Sequence, residues 1–378
     1  MPEFRNACLQ RLPEAMALLK QLVAIESPST DKAAVDRCVD RVETMFGALG
    51  LPTRRIPVAG VGDQLIVDWP APDPAAGRIL ALLHLDTVWP LGMLERMPIR
   101  EEHGRLYGPG ACDMKASVAV AWLAARVLID RGAAPRHSVR LLFTSDEEIG
   151  SNASTDLIRA EASQSRLVLV MEMALPGGEL KTARKGVGSY AVVAHGRSSH
   201  AGGNHERGIN AIQELASHVL ELQKLTDYER GTTVNVGVIR GGTRSNVVPD
   251  RAEMEVDFRV ATLAEAARVD LAFRSLQAAL PEARLEVTGG LNRPPMGRDA
   301  TMVETFEKAR RIAAEAGIDL REGSTGGGSD GNITAALGIP TLDGMGAVGD
   351  GAHALHEHIQ IASLAERAAL HAAIWTQW

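Results

Sequence analysis

Between residues 78 and 173 the chain alternates strand-length apolar runs with a long apolar helix, and this alternation constrains the fold most. RILALLHLD (78–86) is a short run rich enough in apolar residues to be a buried strand. MKASVAVAWLAARVLIDRG (114–132) is helix-length and closes at Gly132, while HSVRLLFTSDEE (137–148) and RLVLVMEM (166–173) are two further strand-length runs. Buried strands separated by helices pair in parallel, because the crossover helices cover the faces of the sheet. The expected fold class is therefore α/β, a mostly parallel sheet with helices on both faces.

The texture then changes. GSYAVVAHG (188–196) alternates like a half-exposed strand and is followed by a helix over 208–225. TTVNVGVIRGG (232–242) and AEMEVDFRV (252–260) read as strands, a helix spans roughly 262–280, and ARLEVTGG (283–290) is a last strand. That order, βαββαβ, is the pattern of a ferredoxin-like α+β sandwich. It marks 185–292 as a domain inserted into one built from 1–184 and 293–378. The α/β texture resumes with a helix near 300–316, a Gly-rich loop at 326–331 and a helix over roughly 359–377.

Composition excludes several classes. A chain of 378 residues with a formal net charge of -7 offers no basic face for nucleic acid. No stretch approaches the roughly 20 apolar residues of a membrane span. The first 25 residues carry acids early and lack an unbroken apolar core, so no signal peptide is expected. Cys8, Cys38 and Cys112 are odd in number and far apart, which fits a reducing, cytoplasmic setting.

In open α/β sheets ligands gather at the carboxyl ends of strands. His84 and Asp86 end the first run, Asp113 precedes the long helix, Glu147 and Glu148 follow the next strand, Glu172 the next, and His353 lies in GAHALHEH. Singly each is ordinary: Asp113 reads as a helix cap, and Glu147–Glu148 as a solvated turn. Glu172 between two methionines is odder, because an ionised carboxylate in an apolar run is costly unless paired or bound to metal. Together they are acids and imidazoles with no matching excess of Arg or Lys. Clustered carboxylates repel, and one or two divalent cations remove that penalty. Imidazole and carboxylate without thiol suit zinc, with manganese or cobalt as alternatives. A two-metal site needs a bridging ligand and a general base that is not itself a ligand. Adjacent glutamates supply both roles, since successive side chains project in different directions.

HLDTV (84–88), GPGACDMK (108–115), DEEIGS (146–151), SSHAG (198–202), SNVVPDRAEMEVDFR (245–259), TGGGSDGN (325–332) and DGMGAVGDGAH (343–353), in that order, resemble the zinc aminoacylase/carboxypeptidase family. They are most similar to its glutamate carboxypeptidase (carboxypeptidase G) branch. The resemblance spans essentially the whole chain. It implies that His84 and Glu172 hold one zinc, Glu148 and His353 a second, and that Asp113 bridges the two. It implies Glu147 as the general base, and Asp86 as the carboxylate that orients His84. In the inserted domain His200 resembles the histidine that reaches a neighbouring subunit's active site and stabilises the oxyanion. Asn246 and Arg259 resemble substrate-binding residues, Arg259 meeting a substrate carboxylate in forked geometry. Gly326, Gly327 and Gly328 would let backbone approach the substrate. Lys185 and Arg293 are weaker candidates for charge near the pocket. The inserted domain would serve as lid and as the interface of a homodimer.

Where the family usually has two glycines after Asp113-Met114-Lys115, this chain has Ala116-Ser117, which removes no ligand. Among the tail histidines, His353 with Glu357 fits the family spacing; His356 is the competing ligand. His195, His205 and His218 have no motif support. GGGSDG (326–331) formally satisfies a dinucleotide-binding pattern, but GIDLREGST before it is a poor buried strand. Loss of the base or of a ligand would mark a non-catalytic binding protein, and none is missing. The expected activity is a two-zinc hydrolase that cleaves a C-terminal amino acid, glutamate for preference, from a small N-acyl or peptidyl substrate bearing a free carboxylate. The alternative is an N-acyl-amino-acid deacylase or desuccinylase with the same metal chemistry.

Overall fold

The computed structural model describes residues 2–378 and divides into two compact units. The first comprises residues up to Ala183 together with Arg298–Ser324 and Ser329–Trp378. It is a mixed α/β fold around an eight-stranded sheet. The strands lie in the order Thr53–Ile56, Gln64–Trp69, Ser138–Thr144, Arg78–His84, Leu167–Val170, Thr341–Asp343, Leu180–Arg184, Glu322–Thr325.

The four central strands are mutually parallel. The two strands on the first edge run antiparallel, as does Leu180–Arg184 where it joins Thr341–Asp343. The parallel reading of the centre is thus correct, and antiparallel edges were not anticipated. Thr53–Ile56 and Gln64–Trp69 lie next to each other in the chain and pair without a crossover helix, so the alternation rule does not reach them. The structure adds a helix, Lys32–Gly47, that the sequence alternation does not predict. Glu322–Thr325, within the segment that reads as a poor buried strand, is an unburied strand at the far edge of the sheet. An edge strand needs neither a long apolar run nor two buried faces.

Successive residues of the central strands feed two different cores. Ile79, Ala81 and Leu83 pack on one side with the helices Pro2–Val23, Ala116–Asp130 and Ile361–Gln377. Leu80 and Leu82 pack on the other with Ile158 and Ile333 from the helices Thr155–Ser163 and Asp330–Ala336. Each fully buried Leu or Ile contributes about 1.5–3 kcal/mol. Alanines dominate the facing stretches, Ala116–Ala125 on one helix and Ala365–Ala373 on another, so the two helices can approach closely.

The second unit is Arg184–Gly297 with Thr325–Gly328. Its chain order is strand, helix, strand, strand, helix, strand, ignoring two-residue pairings. The sheet order is Thr233–Gly241, Arg251–Val260, Gly186–His195, Arg284–Arg293, antiparallel throughout. Alternate residues of Gly186–His195 and Arg251–Val260 are buried, and the helices Ala211–Gln223 and Leu263–Arg274 contribute to the same core. Tyr190 stacks on Phe273 at 4.0 Å and on Phe258 at 5.6 Å. The second helix ends at Arg274 rather than near 280. The segment beyond it is fastened by the buried Glu214 carboxylate, which accepts from the amides of Ala279 and Leu280.

Candidate metal centre

The parallel register explains why four separate segments converge. His84 is the last residue of its strand and lies opposite Thr144, which leads directly into the turn bearing Glu147 and Glu148. On the other side Leu82 lies opposite Val170, so Glu172, two residues beyond, emerges level with His84. Asp343 ends the next strand and leads into the segment carrying His353. Asp113 sits in the irregular turn Ala111–Lys115 that opens the Ala116–Asp130 helix.

The side chains form two groups sharing one residue: His84, Asp113 and Glu172, then Asp113, Glu148 and His353. His84 Nε2 is 3.1 Å from Asp113 Oδ1 and 3.6 Å from Glu172 Oε1. His353 Nε2 is 3.3 Å from Asp113 Oδ2 and 3.1 Å from Glu148 Oε2. Asp113 therefore turns one oxygen toward each histidine. All five residues singled out as ligands come together. His356 joins neither group and is exposed, and His358 is buried against Tyr107 at 5.0 Å.

The charges are unbalanced in a telling way. Burial pushes Glu148 up, the nearby Asp113 charge adds to it, and the carboxyl reaches about 7. Burial acts against the charged form of Asp113, but hydrogen bonds from His353 and His84 outweigh it and hold that carboxyl far below the usual range. Burial would lower His84, yet its contacts with Asp113, Asp86 and Glu172 raise it well above an ordinary imidazole. Hydrogen bonds to Asp113 and Glu148 raise His353 to about 10. Protons thus hold the acids together, in places where a cation would serve.

The residues fit a pair of divalent ions. Glu148 Oε1 is buried without a hydrogen-bond partner. His353 adopts a left-handed backbone, φ 62, at a cost of order 1 kcal/mol for a non-glycine residue. The donor set is imidazole and carboxylate, with no thiol in either group.

Asp86 binds the two sides of the site. Its carbonyl is 3.0 Å from His84 Nδ1 and its carboxylate 3.5 Å, so the main chain makes the closer contact. The carboxylate also accepts from Ser29 Oγ at 2.7 Å and from the amides of Glu147 and Glu148 at 3.3 and 3.2 Å. Glu147 lies on the same turn as Glu148 but in neither ligand group. Asp146, without a role in the sequence, is buried, and its carboxylate accepts from the Ala153 amide at 2.6 Å to shape the loop. Ser29 carries no local signal in the sequence, being an isolated serine 57 residues from its partner.

The remaining candidates belong to the second unit. His200 pairs through its backbone with Val247, and its Nδ1 accepts from the amides of Gly202 and Gly203 at 3.1 and 3.0 Å. The Asn246 carbonyl accepts from the Ala201 amide. Arg259 is forked onto Asp257 at 2.9 and 2.8 Å, the salt bridge that its DFR context allows. The carbonyls of Gly327 and Gly328 accept from Arg184 Nη1 at 3.1 and 3.0 Å. A side chain at Gly328 would meet Val187 at 2.7 Å, so glycine there serves a close approach.

An α/β scaffold that gathers imidazole and carboxylate groups at the ends of its parallel strands, with one glutamate set beside them, defines a hydrolytic enzyme of the metallopeptidase class. The chain belongs to peptidase family M20/M25/M40, whose family model matches residues 81–377. It is 31% identical over 373 residues to carboxypeptidase G2 of Pseudomonas sp. strain RS-16, covering 96% of this chain and 88% of that one. It is 30% identical over 369 residues to succinyl-diaminopimelate desuccinylase of Burkholderia ambifaria strain MC40-6, covering 92% of this chain and 94% of that one. Among solved structures it resembles the aminopeptidase PepT of Bacillus cereus with a TM-score of 0.75 at 24% identity, over 96% of this chain and 98% of that one.

Proposed function

We propose that the chain is a two-metal amidohydrolase that removes a C-terminal amino acid, glutamate for preference, from a small N-acyl or peptidyl substrate. The observation that carries this reading is the placement of Asp113 between His84 and His353, with Glu147 on the ligand-bearing turn but outside both groups. His84, Asp113 and Glu172 would hold one ion, and Asp113, Glu148 and His353 the other. Zinc suits the donors best, with manganese or cobalt as substitutes. When bound, the ions polarise the scissile carbonyl and acidify water.

Glu147 accepts a proton from the attacking water and returns it to the leaving nitrogen as the amide C–N bond breaks. Asp86 fixes this geometry by holding the amides of Glu147 and Glu148 while it orients His84. His200, supplied across a homodimer of the second unit, donates to the developing oxyanion. Arg259 exchanges Asp257 for the substrate carboxylate in the same forked geometry. Asn246, Gly327 and Gly328 line the substrate. Among the described residues no helix is long and apolar enough to cross a membrane, and the proposed setting is the cytoplasm.

A second reading is hydrolysis of an N-acyl amino acid by a deacylase or desuccinylase. Similarity to a desuccinylase across 94% of that enzyme favours it. Both reactions cut an amide near a free carboxylate. The test is a panel of N-acyl amino acids, dipeptides and N-succinyl amines, assayed after chelation and again after restoring zinc, manganese or cobalt. Metal-dependent release of glutamate from acyl-glutamates is expected. Preference for N-succinyl amines selects the second reading, and no metal-dependent turnover refutes both.

A further inference from the structure

Glu357 lies four residues beyond His353, where the chain turns into the short strand His358–Gln360, and it is completely buried. Its two oxygens face only donors. Oε1 accepts from the Cys112 amide at 2.8 Å and the Asp113 amide at 3.1 Å. Oε2 accepts from the Gly110 amide at 3.0 Å and Trp89 Nε1 at 2.8 Å. Burial pushes this carboxyl up while those four donors pull against it, and only the ionised, acceptor-only form satisfies all four. Lys115, itself buried and donating to the Ile25 carbonyl at 2.6 Å, supplies nearby positive charge. No Arg, Lys or His lies within ion-pair distance of Glu357 among the described contacts, so backbone amides hold this charge.

The three segments it joins are those that carry metal ligands or adjoin one. Trp89 follows the His84–Asp86 loop, Gly110–Asp113 is the turn presenting the shared carboxylate, and Glu357 travels with His353. We infer that Glu357 is a positioning residue that sets the Asp113 carboxylate between His84 and His353, and thereby sets the affinity and geometry of the pair of ions. This rests on the two-metal reading. Nothing in it requires Glu357 to touch substrate or metal.

The test uses Glu357→Gln and Trp89→Phe in the full chain, with Leu128→Ala as a control for stability alone. Leu128 is fully buried near the opposite end of the Ala116–Asp130 helix from Asp113. Gln keeps the shape but offers one acceptor where there were two, so an NH2 group faces two N–H donors. Trp89→Phe removes a single donor and leaves the backbone bonds intact. Affinity is read by titrating the chelated protein with Co2+ alone against a competing chelator, and geometry by the visible absorption of the bound Co2+. Glu357→Gln should weaken Co2+ binding about 10- to 100-fold and change the absorption bands, as expected for an outer group that orients ligands. Trp89→Phe should move both readouts a few-fold in the same direction. Leu128→Ala should lower the melting temperature yet keep the wild-type bands. Wild-type affinity and bands in both Glu357→Gln and Trp89→Phe overturn the inference. If Glu357→Gln does not fold, wild-type values in Trp89→Phe alone overturn it. Failure of the wild-type chain to take up two Co2+ ions overturns the two-metal reading instead.

Discussion

Loading the site with divalent metal should expel protons, and their number follows from the geometry. An imidazolium cannot coordinate, and a protonated carboxyl coordinates poorly. In the metal-free chain at pH 7, His84 is raised well above its ordinary value and His353 to about 10, so both carry a proton. Glu148, near 7, is about half protonated. Asp113, held far below the usual carboxylate range, has none to give at that pH. Binding two ions should therefore release about two to three protons per chain at pH 7, and apparent affinity should climb by two to three decades per pH unit just below it. The stability of the metal-free chain should move in the opposite sense. A raised His353 stabilises it below about pH 6.5, and that contribution is lost as pH rises through about 10. Glu148, raised from 4.5 to about 7, makes ionisation above its unfolded value a cost, so it too destabilises as pH rises over that window. Calorimetric titration with zinc in two buffers of different ionisation enthalpy gives the proton count as a slope. His353→Ala should lower it by about one and weaken binding, while His356→Ala should change neither. Release of fewer than one proton by the wild type would refute the assignment of these groups as proton-holding ligands.

Three further outcomes follow from the same site and its scaffold. Glu147→Gln should retain both metals while turnover falls about 10²- to 10⁴-fold, measured by metal analysis beside steady-state kinetics; normal turnover with full metal removes Glu147 as the base. His200→Ala should lower kcat about 10²- to 10³-fold with metal content unchanged, and an unaltered kcat excludes it from oxyanion stabilisation. Phe273→Ala removes the ring stacked on Tyr190 at 4.0 Å and should destabilise the second unit by about 3–5 kcal/mol, read as a shift in its urea midpoint.

The parts of the molecule legible in the sequence are those where local pattern and tertiary role coincide. The Arg78–His84, Ser138–Thr144 and Leu167–Val170 strands are buried on both faces, so their apolar runs announce them. His84, Asp113, Glu148, Glu172 and His353 stand at the ends of such elements or within quotable motifs. Edge strands such as Thr53–Ile56 and Glu322–Thr325 are short and half-exposed, and leave no comparable trace. Asp86 was readable as a partner of His84, but not as the acceptor for the Glu147 and Glu148 amides, because that contact depends on two parallel strands being in register. Glu357 was visible only as a spacing. Its four donors come from segments nearly 250 residues or more away, beyond any local pattern.

The run Asp146-Glu147-Glu148 shows how register turns a repulsive sequence into a usable site. Asp146 is drawn inward to the Ala153 amide, Glu148 toward His353, and the amides of both glutamates are taken by a fourth acid, Asp86. Asp146, Glu148 and Asp86 thus each have a separate partner. The residual excess is concentrated where Asp113, Glu148 and Glu172 meet two imidazoles. In the proposed two-metal reading Asp113 would serve both ions, since its two oxygens face opposite histidines, 3.1 Å from one and 3.3 Å from the other. A single ion placed with His84 and Glu172 would leave Glu148 Oε1 buried and without a partner. In the proposed function two ions would serve both groups and leave Glu147 outside the ligand set, so that of the side-by-side glutamates one would bind metal and the other move a proton.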